Sequence, residues 1–289
     1  MARLRLREAP MGYKTILVHC NDRHRLPRLL DPAMTLCSTF SAHLVGVSVT
    51  PPIAVIGAGM PGTPQLIVLD EHAKAYQAEN PAMKAAFERA AYAQNVTAEW
   101  REEDAGNSTV ARAMMRHART VDLVIALQSV TDRKGSFDLD IPDRLALECG
   151  RPVLIIPNKG TQQVTPRHIV IGWTDRREAT RAVFDALPLL QRADKVTVVE
   201  VDPKPGQEAL ESRTAICLAL SRHGVICDGE IAASHRGNIG DVILACCERT
   251  QADLLVTGCY GHSRLHEFVL GGATRHLLAG MTLPVLMSH

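Results

Sequence analysis

The sequence predicts an α/β protein made of two consecutive five-stranded parallel sheets covered by helices, and three observations lead to this fold class. Apolar runs of strand length alternate with stretches of helical period, as in β-α-β units. The same order of elements occurs twice along the 289 residues. Aromatic residues form only 4% of the chain, so aliphatic side chains must fill the core, as is typical of buried parallel strands.

The internal repeat is weak in identity and clear in pattern. The strand around Ile16 recurs at Ile169, 153 residues later. The segment 121–126 recurs 131 residues later, and the segment 151–156 recurs 132 residues later. The first half is therefore longer by 22 residues, and this excess lies around residues 50–82.

The alternating pattern predicts the position of each element. In the first half we predict strands at 14–20, 43–49, 95–101, 121–127 and 152–156. In the second half we predict strands at 168–173, 195–201, 225–231, 252–257 and 284–288. The helices of the second half are predicted at 176–190, 206–223, 239–250 and 272–279, with Asn238 as the N-cap of the third. A polar stretch bounded by prolines, 157–166, predicts a linker between domains 11–157 and 166–289.

Composition excludes several classes of protein. With 32 basic and 31 acidic residues and no long basic run, the chain is not expected to bind nucleic acid. It has no apolar stretch of the length that spans a bilayer, and its N-terminal arginines are not followed by the apolar region of a secretory signal. The eight cysteines form no C-x-x-C pair, which favours buried free thiols in a reducing cytoplasm over disulfides or zinc ligands.

A glycine-rich loop follows the fourth strand of the second half. Gly258 and Gly261 come directly after that strand, and Gly271 and Gly272 precede the next helix. Ligands of open α/β folds bind at the carboxyl edge of the sheet, where a residue without Cβ allows backbone N–H groups to approach an oxyanion. The positive end of the following helix also favours a phosphate. This loop is therefore the candidate phosphate site.

The spacing Gly258-x2-Gly261-x9-Gly271 resembles the nucleotide motif G-x2-G-x9-G-(S/T) of the universal stress protein family. The resemblance covers the second half throughout and the first half as a degenerate copy. It implies two tandem sandwiches of the adenine nucleotide alpha-hydrolase-like, Rossmann-like type, which form a pseudo-dimer within the chain. It also implies a stress-response regulator that binds ATP or AMP, with Mg²⁺ accompanying ATP, and that has protein partners or forms a homodimer.

The resemblance assigns roles to individual positions. Thr174 replaces the family's adenine-binding Asp, and Val201 stands at the place where the backbone meets the adenine ring. Gly272 replaces the family's Ser or Thr, which removes a hydroxyl donor and keeps an N–H. From its place in the loop, His262 is expected either to neutralise a phosphate or to pack against the loop backbone. The predicted nucleotide-binding residues are Thr174, Val201, Gly258, Gly261, His262, Gly271 and Gly272.

The first half lacks this signature. After its fourth strand it has one glycine, Gly135, and three carboxylates that would repel a triphosphate, Asp132, Asp138 and Asp140. We therefore predict that the first half binds no nucleotide and completes the pseudo-dimer. In the family that the chain resembles, the last strand of each unit pairs with its counterpart in a dimer. The resemblance therefore implies that strand 153–156 pairs with the last strand of the second half within one chain, which would cover two exposed sheet edges.

No catalytic residue and no metal ligand is predicted. The loop histidines His262 and His266, and His276 beyond them, have no acidic or thiol partner at a ligand spacing. The sequence Gly57–Gly62 satisfies G-x-G-x-x-G, but prolines before, within and after it predict a surface loop. Two alternatives to a nucleotide-responsive regulator remain open: a scaffold or small-ligand or lipid-binding module that needs no nucleotide, and a weak ATP hydrolase.

Overall fold

The computed structural model describes residues 12–52, 65–129, 141–202, 207–235, 237–259 and 272–289. The elements of the first half are β1 (Thr15–His19), α1 (Leu26–Phe40), β2 (His43–Thr50), α2 (Gln65–Ala93), β3 (Ala98–Asp104), α3 (Val110–Ala118), β4 (Leu123–Leu127), α4 (Ile141–Glu148) and β5 (Val153–Ile156). Those of the second half are β6 (His168–Trp173), α5 (Arg177–Asp185), α6 (Leu187–Leu190), β7 (Lys195–Val201), α7 (Gln207–Arg222), β8 (Cys227–Ala232), α8 (Ile239–Thr250), β9 (Leu254–Gly258), α9 (Gly272–Gly280) and β10 (Val285–Ser288).

The two predicted five-stranded sheets are joined edge to edge into one. The strand order is β3-β2-β1-β4-β5-β10-β9-β6-β7-β8, so the same five-stranded order appears twice about a central seam. At the seam β5 and β10 pair antiparallel, with Leu286 opposite Leu154, whereas the other neighbouring strands run parallel. The predicted pairing of the two last strands within the chain is confirmed. The seam buries two strand edges that would otherwise expose unpaired backbone groups.

Most predicted elements agree with the structure within a few residues, and the differences have local causes. The predicted helix 176–190 is divided into α5 and α6 after Asp185, because Pro188 near the start of α6 cannot donate a helical hydrogen bond. The strand predicted at 95–101 begins at Ala98 instead, because Asn95 adopts a left-handed turn conformation with φ of 52°. Asn238 is the N-cap of α8 as predicted, and its side chain accepts a hydrogen bond from the N–H of Gly240 at 2.8 Å.

Side chains of alternate strand residues point to two cores on opposite faces of the sheet. Ile16 and Ile171 lie in the core covered by α1, α2, α5, α6 and α7. Leu17 and Val170 lie in the core covered by α3, α4, α8 and α9. Each core contains residues of both halves, so the seam is continuous with the hydrophobic interior.

Polar contacts also join the halves. Residues 157–167 connect β5 to β6, in agreement with the predicted linker; the domain limits themselves stay a prediction. Tyr13 donates a hydrogen bond to the carbonyl oxygen of Asp185 at 2.9 Å, and the Arg192 guanidinium lies 4.9 Å from the centre of the Phe40 ring. Within the described ranges, no helix is both long enough and apolar enough to cross a membrane.

Candidate functional site

The candidate site lies where the chain changes direction across the second sheet. From β6 the chain adds β7 and then β8 on one side, and it then crosses to the other side of β6 to form β9. Open α/β sheets bind ligands at the carboxyl ends of the strands at such a switch point. Thr174 directly follows β6, Gly258 ends β9 and Val201 ends β7. The fold therefore brings these three predicted residues to the ends of three neighbouring strands.

The three positions differ in exposure. Thr174 is exposed, and its carbonyl oxygen accepts a hydrogen bond from the N–H of Arg176 at 2.7 Å, which turns the chain into α5. Val201 is half-buried and pairs with Ala232 on the edge strand β8. Of the remaining predicted residues, Gly261, His262 and Gly271 lie outside the described residues, and Gly272 is the first residue of α9.

Gly258 has a packing role that the sequence analysis did not anticipate. A Cβ placed on this residue would lie 2.5 Å from the backbone nitrogen of Ala179 and 2.6 Å from the carbonyl carbon of Glu178. These atoms belong to the first turn of α5, so the backbones of β9 and α5 are in direct contact. Glycine is therefore required at this position for packing, whatever the loop after it binds.

Two helices begin together at this edge of the sheet. A Cβ on Gly240, in the first turn of α8, would lie 2.5 Å from the carbonyl oxygen of Ala273, in the first turn of α9. Behind this contact Nδ1 of His276 lies 3.6 Å from Oδ2 of Asp241. The positive ends of two helix dipoles therefore lie side by side at the carboxyl edge, an arrangement that favours an anion.

The C-terminal histidine holds the residue that follows Gly258. His289 Nδ1 lies 2.9 Å from the carbonyl oxygen of Cys259, and its Nε2 lies 3.0 Å from Nη2 of Arg177. The carbonyl oxygen can only accept, so Nδ1 carries the proton and Nε2 accepts from the guanidinium. The N–H of Cys259 in turn donates to the carbonyl oxygen of Ser288 at 3.0 Å. The start of the loop is thus fixed from two sides.

Arg177 also pairs with the buried carboxylate of Glu178 at 2.8 Å between Nε and Oε1. Burial raises the pKa of Glu178, but the hydrogen bond and charge of Arg177 outweigh it and hold the pKa below its usual value. Glu178 is therefore ionised at neutral pH. No sequence motif assigns a role to Arg177, Glu178 or His289, because only the fold places His289 against the first turn of α5.

Helix α7 is tied to the ends of β6 and β7. The indole N–H of Trp173 donates to Oγ of Ser212 at 3.1 Å. Arg213 Nη1 lies 3.3 Å from Oε2 of Glu200, and both side chains are nearly buried, with 12% and 10% exposed. Trp173 and Glu200 directly precede the candidate residues Thr174 and Val201. The position of α7 is therefore coupled to the edge where these residues lie.

The equivalent edge of the first half has a different composition. His19 corresponds to Gly172 in the repeat, and Ala126 corresponds to Thr257. Gly172 pairs with Thr257, and a Cβ on Gly172 would lie 3.1 Å from the hydroxyl of Thr257. In the first half the small residue is on the other strand, which leaves room for the buried ring of His19. At this position the first half therefore has its larger residue, His19, on the strand where the second half has the small Gly172, and its smaller residue, Ala126, on the strand where the second half has Thr257.

Side chains of the first half occupy its own carboxyl edge. Arg25 Nε binds Asp22 at 2.9 Å, and Arg25 Nη1 donates to Oδ1 of Asn158 at 2.7 Å and to the carbonyl oxygen of Gln128 at 3.1 Å. These bonds join the start of α1, the end of β4 and the linker. The carboxylates Asp132, Asp138 and Asp140 lie outside the described residues, and the absence of nucleotide from this half stays a prediction.

Fold and site together define a class: an α/β protein of two repeated units, joined at their last strands, with a glycine-bordered ligand edge in the second unit. Residues 207–289 match the model of the universal stress protein family. Within the second half, residues 207–289 are thus similar to the universal stress protein family, and the whole chain has a tandem α/β fold.

Solved structures support the fold over the full length. The structure of a universal stress protein from Archaeoglobus fulgidus DSM 4304 has a TM-score of 0.68 and 13% identity, with 95% of each chain covered. A protein of unknown function from Pseudomonas aeruginosa PAO1 has a TM-score of 0.58 and 14% identity, with 96% of this chain and 92% of that chain covered. A putative universal stress protein from P. aeruginosa UCBPP-PA14 has a TM-score of 0.56 and 15% identity, with 96% of this chain and 93% of that chain covered. No curated protein matches the sequence significantly.

Proposed function

We propose that the second half binds an adenine nucleotide, ATP or AMP, at the edge formed by Thr174, Val201 and Gly258, and that the protein is a cytoplasmic stress-response regulator. The observation that carries this proposal is the convergence of three strand ends and two helix N-termini in a half whose residues 207–289 match the model of the universal stress protein family. Strand ends at a switch point supply polar groups for a base, and helix N-termini favour phosphate.

The proposed roles follow from position. The hydroxyl of Thr174 is exposed at the end of β6 and accepts a hydrogen bond from the adenine amino group. The backbone of Val201 lies beside the ring. The N–H of Gly272, in the first turn of α9, faces the phosphates together with Gly261, His262 and Gly271 of the loop, and Mg²⁺ accompanies the triphosphate.

The proposed role is regulatory rather than catalytic. Binding would hold the loop between β9 and α9 in one arrangement and thereby change the surface offered to a protein partner. The strands β6, β7 and β9 end at or beside Thr174, Val201 and Gly258. None of these side chains is a general base, and the hydroxyl of Thr174 would need an adjacent base to act as a nucleophile. Slow ATP hydrolysis is tested directly by phosphate release from millimolar ATP and Mg²⁺.

Calorimetry with ATP, AMP and GTP, together with mass spectrometry of the purified protein for carried-over nucleotide, tests the binding proposal. We expect binding of ATP or AMP that Gly261→Val abolishes, whereas Gly135→Val in the loop of the first half leaves it unchanged. Thr174→Val is expected to weaken binding about fivefold to tenfold, the usual contribution of one neutral hydrogen bond. The matched control is Thr180→Val on the exposed face of α5.

Two results would overturn the proposal. If calorimetry of the wild type detects no heat of nucleotide binding and mass spectrometry finds no carried-over nucleotide, the nucleotide-independent scaffold or small-ligand module is favoured. Phosphate release that is lost in Gly261→Val would instead favour the ATP hydrolase.

A further inference from the structure

Two of the eight cysteines differ from the others in exposure. Six thiols are buried, namely those of Cys20, Cys37, Cys149, Cys246, Cys247 and Cys259. Cys217 on α7 and Cys227 at the start of β8 are half-buried. Reagents in solution therefore reach these two thiols more readily than the rest.

The two half-buried thiols are also neighbours. The thiol of Cys227 donates to the backbone carbonyl oxygen of Cys217 at 3.7 Å, which places the sulfur of Cys227 beside the residue that carries the other thiol. A short turn joins α7 to β8, where the N–H of Val225 donates to the carbonyl oxygen of Leu220 at 3.1 Å. This turn holds the start of the strand against the last turns of the helix, so the contact between the cysteines is local and does not depend on the seam.

Among the strands of the described residues, β8 is at the outer edge of the ten-stranded sheet, and its one neighbour is β7. The side chains near the cysteines are correspondingly open to solvent: Ile226 is 79% exposed and Leu218 is 52% exposed. An oxidant therefore has a direct approach to the cysteine pair along this edge.

We propose that Cys217 and Cys227 are a reversible redox site, which a hydroperoxide such as hydrogen peroxide converts into an intramolecular disulfide. The thiolate of Cys217 attacks one peroxide oxygen, the O–O bond breaks, and the departing hydroxide takes a proton to leave as water. The sulfur of Cys227 then attacks the sulfenic acid of Cys217. The S–O bond breaks, the departing hydroxide takes the proton of Cys227 and leaves as a second water, and the S–S bond forms. Two electrons pass from the thiols to the peroxide, and an external dithiol reverses the change.

The order of attack follows from the surroundings of Cys227. Burial, the neighbouring thiol of Cys217 and the charge of Asp228 raise the pKa of Cys227 to about 12. The S–H of Cys227 also donates to the carbonyl oxygen of Cys217, a hydrogen bond that its thiolate would lose. Because only the thiolate is nucleophilic, Cys227 is the poorer first nucleophile and serves as the resolving thiol.

This site goes beyond nucleotide binding and does not require it. The disulfide would, however, fasten the last turns of α7 to the sheet edge. The same helix carries Ser212 and Arg213, which contact Trp173 and Glu200 at the ends of β6 and β7. Oxidation would thereby restrain the helix that borders the ligand edge.

The test is peroxide titration of the full-length protein, followed by alkylation and tryptic digestion without reductant. Trypsin cleaves after Arg222, so the two cysteines lie in separate peptides, 214–222 and 223–236. We expect a linked pair of these peptides that disappears on treatment with dithiothreitol. We also expect free thiols to fall from eight to six while the buried cysteines stay reduced.

Single variants assign the order of events. Cys227→Ser is expected to accumulate a sulfenic acid at Cys217 that dimedone traps, whereas Cys217→Ser is expected to leave Cys227 reduced. The matched control, Cys37→Ser on α1, should still form the linked pair. Overoxidation of Cys217 without a linked peptide in the wild type would refute the proposal, as would linkage of Cys227 to another cysteine or to a second chain. The wild-type result decides the matter even where a variant fails to fold.

Discussion

Gly258 and Ala179 are in such close contact that a Cβ on the glycine would lie 2.5 Å from the backbone nitrogen of Ala179. The first glycine of the candidate phosphate loop thus belongs to the packing of β9 against α5 as well as to the loop. Gly258 therefore has a role in packing that is distinct from its proposed role in binding, and the two roles can be tested separately.

Gly258→Ala is expected to lower the free energy of unfolding by about 1–3 kcal/mol, because the backbone of α5 must move to admit the methyl group. Urea denaturation without nucleotide measures the change. The control is Gly280→Ala at the end of α9, where the methyl group meets only the flexible end of Leu244 at 3.1 Å. Equal stability of both variants and the wild type would show that the contact is looser than described.

Leu154 and Leu286 lie directly opposite each other at the seam, and both are fully buried. Leu154→Ala and Leu286→Ala are each expected to destabilise the protein by about 2–5 kcal/mol, and the double variant by a non-additive amount, since the residues share one packing environment. Urea denaturation followed by fluorescence and circular dichroism measures this.

Because both cores cross the seam, the wild type should unfold in one transition. Two separate transitions, one for each half, would contradict this view of the seam.

His19 is 2% exposed, and its Nε2 atom lacks a hydrogen-bond partner in the described part of the chain. Burial, and then the charge of Arg25, lower its pKa from 6.5 to about 3. The unfolded chain therefore binds a proton below pH 6.5 that the folded protein does not bind. This costs about 1.4 kcal/mol of stability per pH unit as the pH falls from 6.5 towards 3.

The His19→Leu variant should lose less stability than the wild type between pH 7.5 and pH 5, by about 2 kcal/mol, as follows from the same slope. Urea denaturation of both proteins at the two pH values gives the difference, so the titration of other groups cancels. An identical loss in both proteins would mean that His19 is protonated in the folded state.

Arg213 is the ionic partner of the nearly buried Glu200. Burial raises the pKa of Glu200, and Arg213 opposes that rise. Arg213→Met leaves an unpaired buried carboxylate, so we expect a loss of about 3–5 kcal/mol at pH 7.5 and a smaller loss at pH 5, where Glu200 takes up a proton more readily. Thermal or urea denaturation at both pH values tests this.

The added substitution Glu200→Gln should restore part of the stability, and the exposed Arg222→Met on the same helix should have little effect. A loss that is the same at both pH values would show that Arg213 acts through packing alone.

The sequence was sufficient for the repeated α/β pattern, because alternating apolar runs and helical periods are local signals. It also led to the pairing of the two seam strands, through the resemblance to a family whose units pair at their last strands. It predicted Thr174, Val201 and Gly258 at one edge, because strands that run parallel end on the same side. It missed Arg177, Glu178 and His289, whose partners are distant along the chain, and Cys217 and Cys227, which no spacing motif distinguishes from the buried cysteines.

Local pattern therefore determined the elements, the duplication and the resemblance to the family whose model matches residues 207–289. Only the tertiary structure decided that the two sheets become one, that Gly258 packs against Ala179, and that His19 stays buried and neutral. The physical reason is that strand and helix formation depend on neighbours in sequence, whereas close backbone contacts, burial and pKa shifts depend on atoms that the fold brings together from distant parts of the chain.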